Sequence, residues 1–286
     1  MIKFAQSNTK TMTKESLGKN PWEDVAKMLH SNEKDCFYRE NKAPYVCPED
    51  EEMILYFNKK VGKDDDDFII TQTPPEPWKG NPLNAKLIVL SLNPGYLPEI
   101  NETLAKLIQS NDVIRKELIE FRKRTLCLDE DSFFPPNTKT DPISIKDAED
   151  ILQGWYWSKR FKTLITDIEL DETEFYKKVA LIEYHGYSSK ASTKGFPYET
   201  LPSQKFTIQL IKHIATKNDV CFLIMRSIGK WEKLLNSENN LWDEMKKQGK
   251  LIYRNNPGRS QYITNENLKD CNCGNGYEKI KEALKG

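Results

Sequence analysis

Four short runs of apolar residues, separated by long amphipathic stretches, organise the chain from residue 85 onward. Each run is rich in aliphatic and β-branched residues, which predicts buried strands at 86–92, 178–183, 220–225 and 250–253. Helical periodicity predicts helices at 101–124, 145–166, 203–217, 228–236 and 276–285. This alternation is typical of an α/β fold, and we expect a three-layer α/β/α sandwich around a mostly parallel, four-stranded central sheet.

Residues 1–80 lack this alternation. Asn20 to His30 has the pattern of a short amphipathic helix with Pro21 near its start. Acidic residues at 64–67 and prolines within 73–82 predict turns and extended pieces. The sequence therefore predicts an irregular N-terminal accessory region at 1–80 and an α/β domain at 81–286.

Composition limits the class of protein. The 286 residues are 38% hydrophobic and 30% charged, which is typical of a folded globular protein. No apolar run is long enough to span a bilayer and the N-terminus lacks the apolar stretch of a signal peptide, so we expect a cytoplasmic protein that does not contact a membrane. Forty-three basic and forty-three acidic side chains give a formal charge of zero, which neither requires nor excludes nucleic acid.

Two of the predicted strands end in similar turns. The first runs into Asn93-Pro94-Gly95-Tyr96, and the last runs into Asn256-Pro257-Gly258. Because α/β proteins bind ligands at the carboxyl edge of their parallel strands, we interpret the two turns as two sides of one cleft. Other sites typical of such sheets fit poorly, since neither a G-x-G-x-x-G motif nor a P-loop follows the first strand. His185 and Ser188 likewise lack the G-x-S-x-G context of a hydrolase triad.

The two turns resemble motifs of the uracil-DNA glycosylase superfamily. Ser91–Gly95 resembles the first motif of its mismatch-specific and single-strand-selective branches, and Asn256–Gly258 resembles the second. Trp155–Leu164 and Val220–Trp231 are similar to a helix of the mismatch-specific branch and to the penultimate strand with its Gly-Lys turn. The resemblance covers about 81–286. The chain departs from it at Gly258, where serine is usual, and in a long insertion at 98–150.

The resemblance implies a DNA glycosylase that hydrolyses the N-glycosidic bond of a flipped base and leaves an abasic site. It implies that Asn93 orients the attacking water and that Asn256 donates to the departing base. Predicted base-binding residues are Tyr96, Tyr156, Trp157, Glu183 and His185, and predicted DNA-binding residues are Ser188, Lys190, Arg259, Ser260 and Gln261. The alternatives are that the two asparagines only form turns and that Tyr156 and Trp157 are core aromatics.

Glu183 bears on the identity of the base. Uracil-specific members of the family commonly have an asparagine at this strand end, whereas a carboxylate accepts from the exocyclic amine of cytosine. Some bacterial members remove bulky phage cytosines, so we predict a modified pyrimidine such as glucosylated hydroxymethylcytosine as the substrate, in antiviral defence. Repair of uracil or mismatched thymine is one alternative, and a non-catalytic DNA-binding module is another. We expect a monomer that binds double-stranded DNA, with single-stranded DNA as a second possibility.

Some branches of the superfamily hold an iron–sulfur cluster on four cysteines. Cys36, Cys47, Cys271 and Cys273 make a four-thiolate site conceivable, but their spacing is not typical of one. The six cysteines also lack the spacing of a disulfide framework, which predicts reduced thiols. We therefore predict no metal and no cofactor.

Overall fold

The computed structural model describes residues 17–36, 38, 43–96, 98–129, 154–191, 201–255 and 262–286. In these ranges the chain has an α/β fold with five strands and eleven helices. The strands are β1 Trp78–Lys79, β2 Leu87–Ser91, β3 Val179–Glu183, β4 Cys221–Ile224 and β5 Leu251–Ile252. The helices are α1 Trp22–Lys27, α2 Glu51–Val61, α3 Pro98–Ser110, α4 Asp112–Leu126, α5 Gly154–Ile168, α6 Glu172–Lys177, α7 Pro202–Ala215, α8 Ile228–Asn236, α9 Leu241–Lys247, α10 Asn265–Leu268 and α11 Gly276–Lys285.

The strands form one mixed sheet in the order β1-β3-β2-β4-β5. β2 pairs in parallel with both β3 and β4, and β4 pairs in parallel with β5. These four strands lie within the limits predicted from the sequence. The expected four-stranded sheet is nevertheless corrected to a mixed sheet of five strands, because β1 pairs antiparallel with β3 at one edge. β1 has only two residues and follows the prolines of 73–77, so the sequence there lacks the apolar run that predicts a strand.

Side chains alternate along the strands and divide the core into two clusters. The first cluster includes Ile88, Leu90 and Ile182, and the second includes Leu87, Val89 and Leu181. Residues of α1–α4 and α7–α9 belong to the first cluster, whereas residues of α5, α6, α10 and α11 belong to the second. Helices therefore cover both faces of the sheet.

The described part of the N-terminal region belongs to this core. Trp22 of α1, Phe57 of α2 and Trp78 of β1 are fully buried in the first cluster beside the sheet residues. The indole Nε1 of Trp78 donates to the backbone oxygen of Thr125 at 2.5 Å. α1 lies where the sequence predicts a short helix, whereas α2 was not predicted. The region expected to be irregular therefore has two helices and an edge strand, and it shares its core with the sheet.

The helix predicted at 101–124 is two helices, α3 and α4. Asn111 separates them, because its side-chain oxygen accepts hydrogen bonds from the backbone nitrogens of Val113 and Ile114, both at 3.1 Å, and so caps α4. Both helices belong to the predicted insertion and pack in the first cluster. No helix in the described ranges combines the length and the apolar character needed to cross a membrane.

Candidate functional site

The carboxyl ends of β2, β3, β4 and β5 lie at the same edge of the sheet because these strands are parallel. β2 is central, and the chain continues first to β3 on one side and then to β4 on the other. Open α/β sheets bind ligands at such a reversal of strand order, outside the carboxyl ends of the strands. The segments 92–96, 184–191 and 225–230 follow β2, β3 and β4 at this edge, which we call the carboxyl edge.

Asn93 is held at the end of β2 by hydrogen bonds from its amide nitrogen. Nδ2 donates to Oγ of Ser189 at 2.9 Å and to the backbone oxygens of Pro94 at 3.2 Å and Ala191 at 3.4 Å. The hydroxyl of Ser189 in turn donates to the oxygen of Ala191 at 2.5 Å. All of these contacts of the Asn93 side chain use its nitrogen, so Oδ1 is the atom that can accept from a bound water.

The second predicted turn lies outside the described residues, and with it Asn256, Arg259, Ser260 and Gln261. Its flanks are described. Asn255 donates from Nδ2 to Oδ1 of Asp270 at 2.6 Å, and the backbone nitrogen of Ile263 donates to the backbone oxygen of Arg160 in α5 at 3.1 Å. β5 is two strands from β2, and neighbouring strands are about 5 Å apart, so the two strands leave the sheet roughly 10 Å from each other. That Asn93 and Asn256 face each other stays a prediction.

Glu183 ends β3 and is paired in register with Ser91 at the end of β2. It is 4% exposed, and Oε2 has no hydrogen-bond partner within the described ranges. Burial raises the pKa of Glu183 to about 7, against the opposing effects of the Lys79 charge and a hydrogen bond with Ser91. Below that pH the carboxyl group is neutral, so it has one O–H donor as well as an acceptor. The sequence had predicted an ionised carboxylate here.

A buried ionic cluster lies beside Glu183. Nζ of Lys79 is 2.8 Å from Oε2 of Glu76, and Arg122 donates to Oε1 of the same carboxylate. Lys79 pairs with Leu181 on β3, which places it on the same face of the sheet as Glu183. Burial alone would raise the pKa of Glu76, but the two cations outweigh burial and lower the pKa to about 2. Sequence reasoning missed this cluster, because its members are brought together by the edge pairing of β1.

His185 lies two residues beyond the end of β3 and is 6% exposed. Burial and the nearby charge of Lys230 lower its pKa to about 4, so it is a neutral imidazole at neutral pH. The start of α8 packs against the ends of β2 and β3. The Tyr184 and Trp231 rings are edge to face with centroids 5.4 Å apart, and Nε1 of Trp231 donates to the backbone oxygen of Ser91 at 2.9 Å. The Gly-Lys turn noticed in the sequence is thus part of the carboxyl edge.

The remaining predicted residues differ in their placement. Tyr96 is half-buried, its backbone nitrogen donates to Ser189 at 3.0 Å, and burial raises the pKa of its hydroxyl. Ser188 is buried and its backbone oxygen accepts from Ile70, whereas Lys190 is exposed. Trp157 is 6% exposed and stacks on Phe161 in the second cluster, which supports the core alternative. Tyr156 lies in α5, and its side chain is outside the described part of the structure.

The conceivable four-thiolate site is not assembled. Cys36 and Cys47 belong to the first cluster and Cys271 to the second, with Cys273 packed against the second, so the two pairs lie on opposite sides of the sheet. Burial raises the pKa of both Cys36 and Cys271 to about 11, which keeps these thiols protonated. Across the described ranges, no three His, Cys, Asp or Glu side chains are grouped so that they could hold a metal ion.

Comparisons of the chain with protein-family models, with curated proteins and with solved structures find no match. A role for this protein is therefore inferred from the side chains at the carboxyl edge. It has an amide oxygen on Asn93, a buried carboxyl on Glu183 that is neutral below pH about 7, and a neutral imidazole on His185. Such a set can orient a water molecule and can match the polar edge of a planar heterocycle with one donor and one acceptor.

Proposed function

We propose that this protein is a monofunctional DNA glycosylase that hydrolyses the N-glycosidic bond of a flipped base and leaves an abasic site. The finer architecture that we propose is the three-layer sandwich of the uracil-DNA glycosylase superfamily, with β1 added at one edge. One observation carries the proposal. Asn93 lies at the carboxyl end of the central strand, where its nitrogen is bonded to Ser189 and its oxygen is left to orient a water.

The chemistry of base release fits an amide at this position. The bond to the base breaks with oxocarbenium character on the sugar, so the attacking water has to be oriented more than it has to be deprotonated. Flipping the nucleotide costs a few kcal/mol, which stacking and hydrogen bonds to the base offset. In this proposal Glu183 binds the polar edge of the base, and Asn256 donates to the departing base.

Glu183 also supports the choice of a cytosine-type base. The oxygen of its neutral carboxyl group accepts from the exocyclic amine, and its O–H donates to the ring nitrogen beside that amine. With the proton on the other oxygen the same group matches uracil, which makes uracil the second candidate. We propose a modified cytosine in phage DNA, such as glucosylated hydroxymethylcytosine, as the substrate. The proposed enzyme is a cytoplasmic monomer that acts on double-stranded DNA.

Mass spectrometry of released bases tests the proposal. Purified protein is incubated with duplexes containing cytosine, hydroxymethylcytosine, its glucosylated form, uracil or a mismatched thymine, and abasic sites are scored by alkaline cleavage. We expect release of one modified pyrimidine. Asn93→Ala should bind the same duplex with unchanged affinity but release the base at least about 100-fold more slowly, because the water is no longer oriented.

Asn236→Ala is the matched control, since Asn236 is the last residue of α8, at the end of that helix away from the carboxyl edge. It should keep the wild-type rate. A wild-type rate for Asn93→Ala would reject the role of Asn93. Binding of all duplexes without release of any base would reject catalysis and leave a DNA-binding module.

A further inference from the structure

Hydrogen bonds to two backbone oxygens and to one serine hydroxyl favour one orientation of the Asn93 side-chain amide. Its terminal group lies 3.2 Å from the backbone oxygen of Pro94 and 3.4 Å from that of Ala191. Carbonyl oxygens only accept hydrogen bonds, so the end of the amide that faces them is the NH2 group. The reverse orientation would place Oδ1 against two carbonyl oxygens and lose both hydrogen bonds.

Ser189 makes the shortest hydrogen bond with this amide. Its hydroxyl donates to the oxygen of Ala191 at 2.5 Å and accepts from Nδ2 of Asn93 at 2.9 Å. A hydroxyl has one proton, so donation to Ala191 leaves the lone pairs of Oγ for Asn93. Ser189 is 1% exposed, so water does not compete for either bond.

Two backbone hydrogen bonds and one side-chain hydrogen bond connect the segment around Ser189 to three separate parts of the chain. Its own oxygen accepts from the nitrogen of Tyr96 at 3.0 Å, and the oxygen of Ser188 accepts from Ile70 at 2.8 Å. The hydroxyl of Tyr187 donates to the buried carboxyl group of Asp50 at 2.7 Å. The Ser189 hydroxyl therefore has a fixed position relative to the end of β2.

We propose that Ser189 is a positioning residue that acts through Asn93. This inference rests on the proposed function. Rotation about the last side-chain bond of asparagine is soft, so an amide without fixed partners samples both orientations. The Ser189 hydroxyl makes the shortest of the three hydrogen bonds that hold the amide with Oδ1 free to accept from the attacking water, whereas the flipped amide would present an NH2 group to that water. Nothing in the sequence indicates this contact, which joins residues 96 positions apart.

Kinetics test whether Ser189 acts through Asn93. Ser189→Ala should lower kcat about tenfold to hundredfold while the Kd for DNA stays unchanged, because the water is misplaced but the base is still bound. In the Asn93→Ala background the same substitution should lower kcat no further. Ser237→Ala is the control: it removes a serine hydroxyl that donates to a backbone oxygen, that of Leu234, after α8, and should have no effect. Losses that multiply in the double variant would overturn the proposal.

Nuclear magnetic resonance tests the contact without relying on catalysis. With 15N-asparagine labelling, the Asn93 side-chain NH2 signals are those missing from Asn93→Ala. We expect their protons to exchange with water at least about tenfold faster in Ser189→Ala than in the wild type. Equal exchange rates would overturn the proposal. Ser189→Cys, with a sulfur that accepts only weakly, fills the same buried space and replaces Ser189→Ala in both experiments if that variant does not fold.

The two experiments separate this inference from the proposed function. Release of no base from any duplex would end the proposed function, and the exchange rates would then decide the Asn93–Ser189 contact alone. Base release together with equal exchange rates in the wild type and in Ser189→Ala would support the glycosylase proposal and reject the role of Ser189.

Discussion

Glu183 holds its proton over a pH range in which an exposed glutamate is ionised. Burial at the end of β3 is the main cause, and Lys79 is the cation that would most oppose it. Lys79 forms an ion pair with Glu76, and the pKa of Glu76 is about 2, so Glu76 is ionised. The negative charge of Glu76 therefore offsets much of the effect that Lys79 has on the pKa of Glu183. The protonation of Glu183, the side chain proposed to bind the base, therefore depends on an ion pair contributed by the N-terminal region.

Replacement of Glu183 by glutamine tests the protonation state. In the wild type the carboxyl group ionises as the pH rises through about 7 and loses its donor, so kcat/KM should fall above that pH. Glu183→Gln has an NH2 donor group and a carbonyl acceptor at every pH and should retain its activity at pH 8 to 9. Glu282→Gln, on an exposed residue of α11, should keep the wild-type pH profile. The same fall of kcat/KM in the wild type and in Glu183→Gln would show that another group titrates.

The same substitution has an effect on stability that does not depend on catalysis. Between pH 4.5, where an ordinary glutamate of the unfolded chain titrates, and the folded-state pKa of about 7, the folded protein binds one more proton at Glu183 than the unfolded chain does. The free energy of unfolding of the wild type therefore decreases as the pH rises through this window, by about 3 kcal/mol in total from this group. Glu183→Gln removes that decrease, which urea unfolding at pH 4.5 and pH 8 measures. An unchanged decrease would place the proton elsewhere.

At the scale of elements, strong local patterns were predictable and short or irregular elements were not. The four parallel strands have apolar runs of their own, whereas β1 is two residues beside prolines. α2 has an acidic first turn, a basic last turn and Gly62 as its C-cap, so the sequence does contain the signals of this helix. The break at Asn111 was also signalled, since Asn before Asp at 111–112 is typical of a helix start.

The candidate site divides in the same way. Asn93 and Glu183 were predictable because they directly follow or end predicted strands. Ser189 and the Glu76 cluster were not, because they are brought to the site by contacts between segments that are distant along the chain. Sequence reasoning locates groups at a strand end, but it does not determine which way an amide faces or how a buried carboxyl group titrates.

The segment after β3 requires a glycine at position 186. A Cβ at Gly186 would lie 2.8 Å from the Trp22 ring and 2.9 Å from the backbone nitrogen of Pro77, closer than side chains normally approach. The nitrogen of Glu76 also donates to the oxygen of Gly186 at 2.7 Å, so the two backbones cannot separate without losing this bond. The close approach holds the beginning of the segment that carries Ser189.

Gly186→Ala should therefore destabilise the protein by about 1–3 kcal/mol, the usual cost of overpacking, and should displace Ser189 from Asn93. Urea unfolding measures the first effect, and faster exchange of the Asn93 side-chain protons measures the second. Gly229→Ala is the control, because a Cβ at Gly229 meets nothing within 4 Å. Unchanged stability of Gly186→Ala would show that the segment after β3 shifts to accommodate the added methyl group without a cost in free energy.

At the scale of the whole molecule, the residues before 81 are part of the fold that supports the carboxyl edge. Trp22 packs against Trp78 with ring centroids 6.3 Å apart and against Tyr187 at 5.4 Å. Tyr187 also donates to Asp50, which connects the same region to the segment that holds Ser189. The sheet would lose both an edge strand and a large share of its first cluster without these residues.

We therefore expect residues 81–286 not to fold alone. In the full chain, Trp22→Ala should cost about 3–5 kcal/mol because it leaves a large cavity in the first cluster. Val113→Ala, at a side chain that is 61% exposed on α4, should cost much less. Urea unfolding of the variants and circular dichroism of the fragment are the measurements. A fragment that unfolds cooperatively at the same urea concentration as the full chain would show that residues 81–286 have a sufficient core of their own, and the dependence of Glu183 and Ser189 on the N-terminal region would be wrong.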